Sequence, residues 1–229
     1  MRPLHRRAAI LLATLSLLAF ATPALAQKGF SFKFTQNGTA ANASFGSCIP
    51  DTPEEGLETC DFTFVDVIDG SRRSSSSDEG VTRSGDQACL NHQASIQSDD
   101  GSFFELLSLQ SGCTDTFTLT TAADLSTAHL VATVPVFDLE CDEEFFCEPV
   151  GDPVDTALDV TWSADEAQTV REHFVSHSLQ GDLWCRSNQT RRGLGAFGTA
   201  TGSAGGVDLG PAEFAEVFSG TMTFNDTCH

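Results

Sequence analysis

The chain has 229 residues, with 32 acidic against 12 basic side chains, a formal net charge of −20, eight cysteines and 18 phenylalanines. Such acidity argues against a nucleic-acid ligand, because a phosphate backbone is held by the Lys and Arg that neutralise it. Beyond residue 26 no apolar run approaches the roughly 18 residues that a membrane-crossing helix needs, which argues against a membrane span.

Residues 1–26 read as a secretory signal peptide. Arg2, Arg6 and Arg7 precede the apolar run Ala8–Ala21, and Ala24-Leu25-Ala26 supplies the small-x-small cleavage pattern. Cleavage there removes three arginines from a chain of −20 and leaves 27–229, at −23, as a single secreted β domain. All eight cysteines follow the cleavage point. An even number in an exported chain predicts disulfides and an extracellular or periplasmic location. A zinc site needs C-x-x-C knuckles, and the chain has none.

Period-two alternation then recurs along the chain, the mark of half-buried strands. Phe30, Phe32 and Phe34 alternate with polar residues; Cys48 and Cys60 bracket the turn-rich 49–59 and are expected to pair. Phe62 and Phe64 lead the next strand, after which the apolar phase slips to Val65 and Val67, as a bulge makes it. Ser71–Asp86 is polar and Ser-rich and reads as a long loop. Asp99-Asp100-Gly101 reads as a hairpin turn, with Cys89 paired to Cys113 across it. Thr116–Thr120 alternates Thr with Phe117 and Leu119. Leu130–Asp138 is apolar on both faces and therefore central, although Pro135 demands an edge or a bulge where it sits. Cys141 and Cys147 clip the next turn, Leu158–Trp162 alternates cleanly, and Cys185 pairs with Cys228. Phenylalanines with Trp162 and Trp184 are expected to fill the core. Ser163–Glu166 matches a helix capping box, and pattern alone slightly favours a helix over 164–178.

Context favours a strand there, and that context is a resemblance. Leu125–Ala128 leading into Leu130–Asp138, then Leu158–Ala164 and Ala200-Thr-Gly202, resembles a group of uncharacterised secreted bacterial β-proteins. The resemblance implies location and fold and carries no activity.

Four features of the sequence bear on chemistry. Gly193-Leu-Gly195-Ala-Phe-Gly198 spells the dinucleotide fingerprint, but Thr199–Gly206 cannot open the helix such a site requires, so a Gly-rich strand or turn is expected. His173 and His177 share a helical face if the segment is helical and stand about 13 Å apart if it is a strand, too far for one ion. His92, His129 and His229 have no evident partners, and no G-x-S-x-G elbow marks a hydrolase. The acid-rich Asp138–Asp155 proposes calcium through Asp138, Glu140, Asp142, Glu144 and Asp152, although position 6 of the calcium-loop pattern is Glu143 instead of Gly. The plainer alternative there is a solvated acidic loop.

The chain therefore reads as all-β, an antiparallel β-sandwich or flattened barrel stapled by four disulfides. Its expected function is that of a soluble, secreted, non-enzymatic binding or surface-associated module with an extracellular ligand the sequence does not name. The alternative is a secreted hydrolase whose active site no motif reveals, and calcium is the one cofactor proposed.

Overall fold

The structure is a computed structural model and describes residues 30–52, 56–76, 80–98, 103–142, 147–180 and 183–228. The expected signal peptide at 1–26, the Asp99–Gly101 turn, Glu144 and His229 lie outside the described residues. Twelve strands account for nearly all of them: β1 (Phe30–Thr52), β2 (Leu57–Ser76), β3 (Gly80–Ser84), β4 (Gln87–Ser98), β5 (Phe104–Thr114), β6 (Phe117–Thr121), β7 (Thr127–Cys141), β8 (Cys147–Ala164), β9 (Gln168–Gln180), β10 (Leu183–Ala204), β11 (Val207–Pro211) and β12 (Phe214–Cys228). Every pairing is antiparallel. The order β1-β12-β10-β8-β7-β5-β4-β2 returns to β1, so eight strands close a ring. Closure leaves the ring without a free edge, and of the two expected architectures it is the barrel. β3, β6, β9 and β11 attach to β2, β7, β10 and β10.

Alternation decides what fills the ring. Ala41, Ala43 and Phe45 of β1, Val65 and Val67 of β2, Leu130 and Val134 of β7, and Leu158, Val160 and Trp162 of β8 belong to one buried cluster. The intervening His129, Thr133, Asp159, Thr161 and Ser163 are exposed. This is the reverse of a membrane-spanning barrel, which turns its apolar face to lipid. Among the described residues no helix is long and apolar enough to cross a membrane. The Trp162 indole N–H donates to the Asn42 carbonyl (2.9 Å), so the largest buried side chain leaves its polar atom satisfied.

Several expectations are corrected. The core is built from Ala, Val and Leu more than from Phe, because a ring of eight strands has little interior width; Phe45 and Phe218 are buried, while Phe103, Phe104, Phe174 and Phe197 are exposed. Trp184 is 65% exposed and forms no part of the core. The expected bulge in β2 is absent: its register runs unbroken from Leu57 to Ile68 against β4, with Thr63, Val65 and Val67 facing inward and Phe62 stacked beside Phe64 on the other face. The slip in phase reflects two covered faces. Ser71–Asp86 is not one loop either, since β2 runs on to Ser76 and pairs with β3, and Ser-rich strands hold here because neighbours on both sides satisfy their backbone. Residues 168–180 form a strand, held by thirteen register pairs to β10. Pro135 falls where the second neighbour of β7 changes from β6, whose pairing ends at Ala132, to β5, whose pairing begins at Val136, so its missing N–H costs no ladder bond.

The disulfides are Cys48–Cys60, Cys89–Cys113, Cys141–Cys147 and Cys185–Cys228. Each joins residues directly opposite in register, with Cα atoms 3.9–4.1 Å apart. No cysteine is free, which suits an oxidising compartment.

Four long strands do not stop at the barrel rim. Gly193 of β10, Gly220 of β12, Gly38 of β1 and Gly70 of β2 are consecutive register partners, forming a row of glycine across four strands. An added Cβ at any of them would overlap a carbonyl oxygen of the neighbouring strand, and Gly38 and Gly220 hold φ of 134° and 158°. Glycine in such a row marks a sharp bend with close backbone approach. The direction of the bend follows from Arg191. In a straight pair it lies opposite Met222, six residues or about 20 Å from Glu216. The two side chains nevertheless meet as an ion pair. The strands must therefore fold back toward the outer wall of the barrel. Ala40, Ile68, Phe218 and Gln36 are buried in this crease, and the face that lines the barrel interior opens beyond it into an exposed plate.

Candidate functional site

The plate is built from β9, the first half of β10, the second half of β12, the first half of β1, the end of β2 and β3, about 24 Å across at the usual strand spacing. Register fixes its outward face. Thr35, Thr223 and Thr190 lie in one row between Arg73 of β2 and His173 of β9; Asn37, Thr221 and Arg192 lie in the next, ending at Arg171. Lys33, Asn225 and Asn188 form a third row, and Thr227, Arg186 and His177 a fourth. Within rows, Thr221 donates to Asn37 (2.6 Å) and the Thr190 and Thr223 hydroxyls share a bond; between the first row and the third, His173 Nε2 contacts Asn188 Oδ1 at 2.9 Å.

Charge is sorted sharply by this arrangement. In a chain with 32 acids, none of these positions is acidic. Lys33, Arg73, Arg171, Arg186 and Arg192 are all exposed here, and among the described residues none of them has a carboxylate within 4.0 Å. Arg171 stands directly opposite Arg192, and Arg83 takes the register position opposite Arg73. Like charges directly opposite one another destabilise a strand pair, a cost that an anion between them would relieve. A shallow open depression of about 840 Å³ lies beside the Arg171–Arg192 pair, lined by Thr169, Arg171, His173, Thr190 and Arg192 together with Val170, Gly193 and Glu172, the last of which reaches Arg191.

In the crease behind the plate the cations are held against other groups, Arg191 by acids and Arg72 by an amide and a ring. Arg191 pairs with buried Glu216, reaches Glu172 at 3.6 Å and lies 4.7 Å over the Phe218 ring. Arg72 donates to Gln87 (2.9 Å) and stands over Phe34. Although Asp66 keeps some solvent contact, burial in the crease pushes its carboxyl up to about 6, with the Arg72 guanidinium pulling the other way. A carboxyl raised in the folded state contributes stability that is present below its unfolded value of 3.8 and is lost as pH rises through about 6. Urea unfolding of the wild type is therefore expected to show a gain on the order of 1 kcal/mol between pH 7 and pH 5 that Asp66→Asn lacks. Parallel pH profiles for the two proteins would contradict this origin.

The residues singled out from sequence are dispersed. Asp138 and Glu140 share one side of β7, about 7 Å apart at strand spacing, and Asp142 follows the end of the strand. Asp138 accepts a hydrogen bond from Gln110 (2.7 Å), Glu140 is opposite Glu148, and Asp152 sits in the irregular stretch of β8 beyond Gly151. Among the described residues the one three-member group of metal-ligating types is Cys48, Glu58 and Cys60, and both sulfurs are already in a disulfide. His173 and His177 lie on one face of β9 at strand spacing. His92 and His129 do have partners, Thr63 (3.1 Å) with Asp61 (3.6 Å) and Asp159 (2.9 Å). The three glycines of the G-x-G-x-x-G run let neighbours approach: Ser219 at Gly193, Val170 at Gly195 and Ser163 at Gly198.

Fold and site together define a disulfide-stapled antiparallel β-barrel with a cationic plate that carries no acid at its described register positions. No protein-family model, curated protein or solved structure matches the chain.

Proposed function

We propose that this protein is a secreted, non-enzymatic binding module that presents the plate to an anionic ligand or surface. The observation that carries this reading is that five exposed cations, none with an ion-pair partner among the described residues, share one face on which no described register position is acidic, in a chain of net charge −20. In so acidic a protein every exposed arginine has carboxylates to spare as partners. Holding four arginines and a lysine clear of ion pairs with the described carboxylates maintains a local positive field that a negative partner can use. The four disulfides fit work outside the reducing cytosol.

The test is retention on a sulfonated cation-exchange resin at pH 7 and low salt. A chain of −20 without charge segregation should pass straight through. The plate is expected to retain the wild type, and Arg171→Ser with Arg192→Ser is expected to release it at lower salt. Flow-through of the wild type would defeat the proposal.

A further inference from the structure

We infer that the plate binds an anionic polysaccharide, a polymer whose carboxylate or sulfate groups are separated by neutral, hydroxyl-bearing rings. This rests on the plate being the binding face and adds the chemistry of its ligand. The spacing of the cations is the first reason. Arg186 and Arg192 are six residues apart on one strand, about 20 Å, and Arg192 is three strand spacings, about 14 Å, from the strand that carries Arg73. Cations this sparse fit charges interrupted by neutral units better than a charge at every step.

What fills the gaps is the second reason. Between the arginines lie the Thr35, Thr190 and Thr223 hydroxyls and the Asn188 and Asn225 amides, groups that both donate and accept, as ring hydroxyls do. The third reason is Trp184. It lies on the same face of β10, two residues before Arg186, and leaves its indole 65% exposed. An indole in water offers an apolar face with a polar edge, suited to a ligand that is apolar on one side and hydroxylated at its rim. Single-stranded nucleic acid also stacks on aromatics, but grooves for it supply a positive track and several platforms for successive bases. Among the described residues of this face Trp184 is the one Phe or Trp side chain, and the net charge of −20 opposes a dense polyanion. The Arg171–Arg192 pair then has a role: one carboxylate or sulfate bridges two guanidinium groups that otherwise repel.

The experiment measures binding of the oxidised protein to hyaluronan and kappa-carrageenan, whose carboxylate or sulfate rings alternate with neutral ones, and to neutral dextran, poly-glutamate and poly(dT), at one ionic strength. Hyaluronan or kappa-carrageenan is expected to bind most tightly, the stronger of the two identifying the acid, with neutral dextran unbound. Trp184→Ala and the double variant Arg171→Ser with Arg192→Ser are each expected to weaken glycan binding about tenfold or more, as losing an aromatic or arginine anchor does. Poly-glutamate or poly(dT) binding as tightly as either glycan, with Trp184→Ala without effect, overturns the glycan assignment. If the arginine variant still weakens that binding, the plate itself stands as the binding face. Binding of no polyanion, or binding indifferent to the arginine variant, overturns both.

Discussion

Gly220→Val is expected to destabilise the oxidised protein by about 3–5 kcal/mol in urea unfolding, with Gly38→Val similar. Two costs add. The backbone at these positions lies at φ of 158° and 134°, a region that costs a branched L-residue about 1–3 kcal/mol. The new Cβ also overlaps the Arg192 carbonyl at Gly220 and the Asp69 carbonyl at Gly38, and forcing neighbours apart costs about 1–3 kcal/mol more. Relief by separating the strands breaks ladder bonds at the one line where four strands turn together. Gly85→Ala is the control: nothing lies within 4 Å of an added Cβ there, so a change within about 0.5 kcal/mol is expected. If Gly220→Val matched Gly85→Ala, the sheet would not be creased at this row.

Arg191→Met should cost about 3–5 kcal/mol, because it strands the Glu216 carboxylate in a site only 6% exposed. Removing both charges, as Arg191→Met with Glu216→Leu, is expected to recover most of that loss, since an apolar pair of similar bulk is often as stable as a buried ion pair. Phe218 and Ile68 already supply apolar neighbours in the crease. A double-mutant cycle reads the coupling directly. A single-variant cost below about 1 kcal/mol would mean that water reaches Glu216 freely and that the ion pair does not hold the fold-back.

Much of the barrel was legible in the chain. The alternation in Leu158–Trp162 and Leu130–Asp138 marks strands that pair with each other, and its apolar side is the buried side. The cysteine brackets coincide with short hairpins because two arms leaving one turn must face each other. Over 164–178 the local pattern leaned toward helix, and the tie was broken by thirteen backbone pairs to β10, a partner that periodicity does not see.

The plate was not legible, and the reason is physical. Lys33, Arg73, Arg171, Arg186 and Arg192 lie on four strands far apart in sequence, and only register places them on one face. Along β10, Trp184, Arg186, Asn188, Thr190 and Arg192 alternate with Cys185, Ser187, Gln189 and Arg191, so neither set is apolar enough to be read as the inside. Trp184 was therefore expected in a core. By itself the sequence determined the strand-forming composition, the oxidising compartment its eight cysteines imply and the two faces of each strand. Which face is covered was decided by the tertiary structure alone, because the glycine row folds the outer wall back on itself. Covering one face with Arg191, Glu216 and Phe218 leaves the other, with its unpaired cations, in water.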